Sequence, residues 1–246
     1  VSLFAEAGAF VIFLGGVTRC LPGIGRRRTE IIRQAKRIGN DSLLLIFVIS
    51  VFTGLVTAVQ ATYQTSGYIP IRMIGVMVGK SAMIELGPVL TALVLSGRVG
   101  ASLAAEIGTM RVSEQLDALE TLAIDPADYL YMPRIVAGAL MVPLLTVYSI
   151  VFAIFSAFTF TFLKYGMSAE TFFLHMRNYF QPSDIWGGLV KSFFFGLIIT
   201  SVGCHVGSRA GNGAEGVGRA ATQTVVWSSI LILIMDFFVA FVLFGD

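Results

Sequence analysis

Residues 42–71 read SLLLIFVISVFTGLVTAVQATYQTSGYIPI, with no charged side chain among them. A hydrocarbon core of ~30 Å takes ~20 helical residues, so this stretch predicts a membrane-spanning helix at about 42–63. Residues 135–163 are also uncharged and predict another span. Residues 186–204 are interrupted only by Lys191, and residues 222–244 only by Asp236. The stretch 69–105 is apolar but holds Arg72, Lys80, Glu85 and Arg98. Its residues 86–105 read as the inner part of a helix that starts before Lys80, after a bend near Pro70. The N-terminal half would be amphipathic, and Pro88 would kink it. The expected fold class is an all-α integral membrane protein with about five transmembrane helices.

Composition agrees. Of 246 residues, 56% are hydrophobic and 13% charged, with a mean hydropathy of +0.82; a soluble domain carries about 25% charged residues. The net charge of +2 is too small to suggest a nucleic-acid partner. Cys20 and Cys204 lie far apart, and His175 and His205 add little, so neither a disulfide framework nor a metal site is expected. Residues 10–17 are apolar, but the basic residues follow them rather than precede them, which argues against a cleavable signal peptide. Residues 1–41 instead read as an amphipathic interfacial helix on the cytoplasmic side. There Arg19, Arg26, Arg27, Arg28, Arg33, Lys36 and Arg37 would meet anionic headgroups. Residues 42–246 form the transmembrane domain. The basic cluster puts the N-terminus inside; 106–134 and 207–219 then also face the cytoplasm, and Asp246 lies outside.

The segment 106–128 is the least membrane-like part of the interior. Ser113 followed by Glu114, Gln115 and Asp117 can start a helix with acids at its positive end. Val112, Leu116, Leu119 and Leu122 or Ala123 recur at helical spacing, Glu120 joins the polar face, and Asp125-Pro126 ends the pattern. A short amphipathic cytoplasmic helix at about 113–122 results. It could be an interfacial connector, but an acidic face suits anionic lipid poorly and a protein partner well. Just before it, Gly97, Gly100, Ala101, Ala104, Ala105 and Gly108 form a small-residue ridge that allows close helix approach. The neighbour could be in the same chain or in a second copy.

These residues resemble a known family, the MlaE (YrbE-like) permeases of bacterial phospholipid-transport ABC systems. The resemblance runs through Glu85-Leu86-Gly87-Pro88-Val89, Gly97-Arg98, Ala105-Glu106-Ile107-Gly108-Thr109-Met110 and Glu114-Gln115-Leu116-Asp117-Ala118-Leu119. It continues through Asp125-Pro126, Pro133-Arg134 and Gly216-Val217-Gly218-Arg219-Ala220. Many relatives carry a basic residue before the Glu of Glu-Leu-Gly-Pro, where this chain has Ile84. The resemblance implies a homodimer in the bacterial inner membrane, with cytoplasmic ABC ATPase subunits that bind ATP and Mg. It also implies a periplasmic MCE-type lipid-binding protein and phospholipid moved between the inner membrane and the outer envelope. The Glu-Gln-Leu-Asp segment would be the coupling helix, with Glu106, Arg111, Glu114, Gln115, Asp117 and Glu120 as candidate coupling residues.

Charges inside a bilayer are costly and mark functional candidates. At 1.5 Å per residue, Lys191 would lie ~9 Å and Asp236 ~12 Å below the outer ends of their helices. Lys191 is thus expected to pair with Asp236 or with Glu85, either beside a headgroup site or as a static helix-to-helix tie. Gln60, Tyr63 and Gln64 end the first span and are candidate lipid contacts, Tyr63 being equally at home as an interface-belt aromatic.

Other motifs do not hold. Residues 211–216 fit G-x-G-x-x-G, but a membrane helix rather than a strand precedes them, so a flexible cytoplasmic loop is the better reading and no cofactor is expected. There is no G-x-x-x-x-G-K-[ST], so ATP hydrolysis would belong to a partner chain. An intramembrane protease would need Gly-x-Ser-Gly, and Val94 stands where the Gly should be. The competing function classes are an ion-gradient-driven transporter, using Glu85 or Asp236, and a passive membrane scaffold.

Overall fold

The computed structural model describes residues 3–65, 73–211 and 213–244, and among these every regular element is helical. Helix α1 spans Leu3–Cys20, and a 3-10 turn, Leu21–Arg27, leads into α2, Arg28–Thr65. Helix α3 covers Ile74–Val112, the short α4 Gln115–Thr121, and α5 Ala127–Tyr165. Helices α6 (Ala169–Asn178), α7 (Pro182–Ser208) and α8 (Gly213–Phe244) follow. Among the described residues, five helical stretches are long and apolar enough to cross a membrane. The bend expected near Pro70 lies outside the described residues.

The structure departs from the sequence reading at several points. Helix α2 begins at Arg28 and continues unbroken through Asp41 and Ser42, so Arg33, Lys36 and Arg37 ride on the same helix as the first apolar run. Pro88 acts through a widened turn: Ala82–Leu86 is π-helical, and the Gly87 N–H donates to the Ala82 carbonyl. A regular turn would press the Pro88 ring against the Ile84 carbonyl, and the extra residue relieves that clash. A second π turn, Ser96–Gly100, follows. The glycine-rich motif at 211–216 is not a loop throughout, because α8 starts at Gly213.

The chain divides into two compact units. The first comprises Val1–Asp41, Ala92–Met141 and Phe194–Ile234; the second comprises Ser42–Thr91, Val142–Phe193 and Met235–Asp246. In the first, small residues set the packing. A Cβ on Gly196 would lie 2.5 Å from the Gly138 carbonyl oxygen, and one on Gly138 would lie 2.2 Å from the Thr200 Cγ2, so α5 and α7 touch backbone to backbone. In the second, Ala58, Ile74, Val78, Met83, Ile154 and Phe172 lie in one apolar cluster. Gly54 lets α2 meet α5, since a Cβ there would sit 2.0 Å from the Ala153 carbonyl oxygen. Ser50 donates to Ser149 across the same contact at 2.8 Å.

The segment after α5 folds as α6. Gly166 turns the chain at φ +63°, and the Ser168 hydroxyl caps α6 by accepting from the Thr171 N–H at 3.2 Å. Phe172 is fully buried against Gly75 of α3. Taking such a side chain out of water is worth about 1.5–3 kcal/mol.

Candidate functional site

Two groups of charged residues stand out, one in each unit. In the first unit, α3 ends at Ser113, whose hydroxyl donates back to the Thr109 carbonyl at 2.8 Å. Ser113 therefore closes α3 instead of capping the next helix, and α4 is shorter than the 113–122 expected. Glu114 takes a left-handed conformation (φ 57°) at the turn into α4, and Ala123 takes another (φ 56°) beyond its end. At the far end the Ile124 N–H reaches the Leu119 carbonyl at 2.9 Å and the Ala123 N–H the Glu120 carbonyl at 3.0 Å. This is a Schellman closure with alanine where glycine is usual, at a cost of roughly 1–2 kcal/mol for each left-handed non-glycine residue. Asp125 does not belong to α4: its carboxylate accepts from the Ala127 N–H at 2.8 Å and so starts α5.

Helix α4 buries Leu116 and leaves Glu114, Gln115, Asp117 and Glu120 exposed. Arg111 and Asp117 pair at 2.5 Å, and the Gln115 amide donates to the Ser113 hydroxyl at 2.9 Å. Leu122 is 70% exposed, an apolar side chain left uncovered beside the acids. Glu106 sits apart from this face. Its two carboxylate oxygens hold Arg134 at 2.5 Å and Arg37 at 2.6 Å, joining α3 to α5 and α2. Arg134 is buried, and a second of its N–H groups donates to the Leu130 carbonyl at 2.9 Å. Sequence reasoning had not singled out Arg37 and Arg134 as partners, since nothing local to either one names Glu106. Two more ion pairs frame the region, Arg27 with Asp128 at 2.6 Å and Arg98 with Asp41 at 3.7 Å.

The small-residue ridge packs within the same chain, against α7. A Cβ on Gly203 would lie 3.0 Å from the Gly100 carbonyl oxygen, and one on Gly207 would lie 2.9 Å from that of Ala104. Gly203-x-x-x-Gly207 was the sequence signal that went unread. Gly108 approaches Ala210 and Val217, and Ala101 is half-buried. Gly97 is exposed, with open space where its Cβ would be, and takes no part in this packing.

In the second unit, Lys191 is fully buried on α7, with its Nζ 2.6 Å from the Glu85 Oε1 and 2.8 Å from the Asp236 Oδ1. The contact with Glu85 is a hydrogen bond, whereas the Asp236 oxygen lacks hydrogen-bond geometry. One ammonium thus faces two carboxylates from α3 and α8, where the sequence had left a choice between them. A fully buried lysine is tolerable only when paired, and the two acids give it that. Gln60, Tyr63 and Gln64 are exposed on the last turns of α2.

Residues 31–242 match the family model described as Permease MlaE. The chain belongs to the MlaE permease family. It is 32% identical over 246 residues to the intermembrane phospholipid transport system permease protein MlaE of Haemophilus influenzae, covering 100% of this chain and 94% of that protein. It is 41% identical over 209 residues to a probable ABC transporter permease protein of Rickettsia prowazekii, covering 85% and 81%. The chloroplastic protein trigalactosyldiacylglycerol 1 of Arabidopsis thaliana is 36% identical over 206 residues, covering 84% of this chain and 59% of its own length. The MlaE assignment makes this chain a multi-pass ABC transporter permease, and its helical fold with five candidate spans agrees.

Proposed function

We propose that this MlaE-family permease moves phospholipid between the bacterial inner membrane and the outer envelope, powered by ATP hydrolysis in a separate cytoplasmic ATPase. The observation that carries this reading is α4: an acidic, exposed helix held between two left-handed residues, on a chain without a P-loop. A helix with fixed ends transmits a push, whereas a frayed one would absorb it. Its exposed Asp117, Glu120 and Leu122 suit a protein groove with basic walls. The substrate class is taken from the intermembrane phospholipid transport named for the Haemophilus relative.

In this reading α4 and the N-terminus face the cytoplasm, the C-terminus faces the periplasm, and ATP and Mg are bound by the ATPase alone. Two copies enclose the lipid path, an MCE-type protein exchanges lipid on the outer side, and Gln60, Tyr63 and Gln64 touch headgroups near the exit. ATP binding presses on α4 and shifts the equilibrium between cavity states.

The test is co-purification of an ATPase with the tagged chain from its native host, for wild type and an Asp117→Ala, Glu120→Ala variant. Wild type is expected to bring down an ATPase, and the variant to lose binding or lipid-stimulated hydrolysis. A stable wild-type chain that brings down no ATPase refutes the reading and favours ion-driven transport.

A further inference from the structure

The first unit contains a cleft of about 760 Å³ between α1, the end of α7 and the start of α8. Each of the three helices grades from charged to apolar along its wall. On α8 the stripe is Glu215, Arg219, Gln223, Trp227 and Leu231, spaced four residues apart in a row that winds slowly around the helix and lines the cleft along its length. Arg209, just past the end of α7, is followed inward by Val206 and Val202 on that helix, and on α1 Glu6 is followed by Phe10. His205 sits between the Phe10 and Phe13 rings, with centroids at 5.3 and 5.2 Å, and so holds α1 against α7.

At 1.5 Å per residue, Glu215 to Leu231 covers about 24 Å. One leaflet, half of a bilayer of ~40–45 Å with headgroups, measures about 20–22 Å. The stripe therefore has the length and polarity gradient of one lipid molecule, and the volume lies within the about 300–1,000 Å³ usual for small-ligand sites.

The charges narrow the headgroup. Glu215 and Arg219 pair with each other on α8. Among the described residues neither Glu6 nor Arg209 forms an ion pair, and both line the same mouth. With Glu215 and Arg219 neutralising each other, an anionic headgroup would meet Arg209 but also the unpaired Glu6 carboxylate, whereas a zwitterion offers phosphate to Arg209 and ammonium to Glu6. We infer that this cleft is a resident site for a zwitterionic phospholipid, phosphate on Arg209, ammonium on Glu6, and an acyl chain along Val206, Trp227 and Leu231. The glycine motif shapes the mouth: a Cβ on Gly216 would strike the Gly211 carbonyl oxygen at 2.2 Å, so the turn closes only with glycine there. The site shares no residue with α4 or the Lys191 cluster, and lipid retention is read without ATP, so it stands or falls separately from the transport reading.

The experiment is native mass spectrometry of the delipidated full chain in detergent, titrated with dioleoyl phosphatidylethanolamine or dioleoyl phosphatidylglycerol. Wild type is expected to retain one phosphatidylethanolamine per chain, at least fivefold more than phosphatidylglycerol. Arg209→Ala, an exposed position, should lower that occupancy at least fivefold with an unchanged melting temperature, and Val206→Trp should abolish it by filling the cleft. Equal retention of the two lipids, or retention untouched by Arg209→Ala, overturns the site. A melting-temperature rise with inorganic phosphate equal to that with lipid also overturns it, as does a chain-to-chain cross-link through Gln223→Cys showing a second copy in the cleft.

Discussion

Replacing Lys191 by methionine keeps most of its volume and removes its charge. Lys191 is fully buried, with carboxylate oxygens at 2.6 and 2.8 Å, so the variant leaves Glu85 and Asp236 facing each other with no cation between them. Removing one partner of a buried ion pair costs about 3–5 kcal/mol. The two arms are unequal. The Lys191–Glu85 arm is a hydrogen bond at 2.6 Å, and the Asp236 arm is an ion pair without hydrogen-bond geometry at 2.8 Å. Lys191→Met is therefore expected to cost about 3 kcal/mol, and Asp236→Asn less, because Lys191 keeps its hydrogen bond to Glu85. The double variant should fall short of the sum by at least ~1 kcal/mol, as for residues in direct contact. The assay is reversible unfolding in mixed detergent micelles, followed through Trp186 and Trp227, beside ATP-dependent lipid transfer in proteoliposomes. Transfer should fall in Lys191→Met with no comparable further loss in the double variant. Additivity within ~0.5 kcal/mol would refute the pairing argument.

Two further substitutions test the packing of the first unit. Ala123→Gly should stabilise the chain by roughly 1 kcal/mol, because glycine takes the left-handed closure of α4 without the Cβ penalty; an unchanged or lower unfolding free energy would count against that account. Gly207→Val should destabilise by about 1–3 kcal/mol or more, since its Cβ would meet the Ala104 backbone at 2.9 Å and backbone cannot rotate away; wild-type stability would show that α3 and α7 are not in contact there.

Much of the fold was legible in one dimension. Whether a stretch such as 42–63 or 135–163 spans a bilayer depends on transfer free energies summed along the chain, and that sum needs no partner. The isolation of Lys191 in an apolar run was enough to demand a counter-charge, and the acidic periodicity around Leu116 was enough to expect a short polar helix. The family resemblance was likewise carried by contiguous motifs. The error at Ser113 was local: its hydroxyl can serve the start of one helix or the end of another, and the preceding turn of α3 took it.

What the tertiary structure alone decided was which faces meet. Helix α3 contains two π turns, each adding a residue to a turn of about 3.6. Each one rotates everything beyond it by roughly 100° relative to a regular helix, so a face read from constant spacing does not continue across it. Gly97 lies inside the second π turn and points to open space, while Gly100 and Ala104 reach α7. The same limit hid the Arg37–Glu106–Arg134 node and left open which acid Lys191 would take. Those choices depend on the rotation and separation of helices far apart in the chain, set by the Gly203 and Gly207 contacts in the first unit and by Gly54 and Phe172 in the second. Composition, spans and the need for a counter-charge were properties of the sequence, and the partners were properties of the packing.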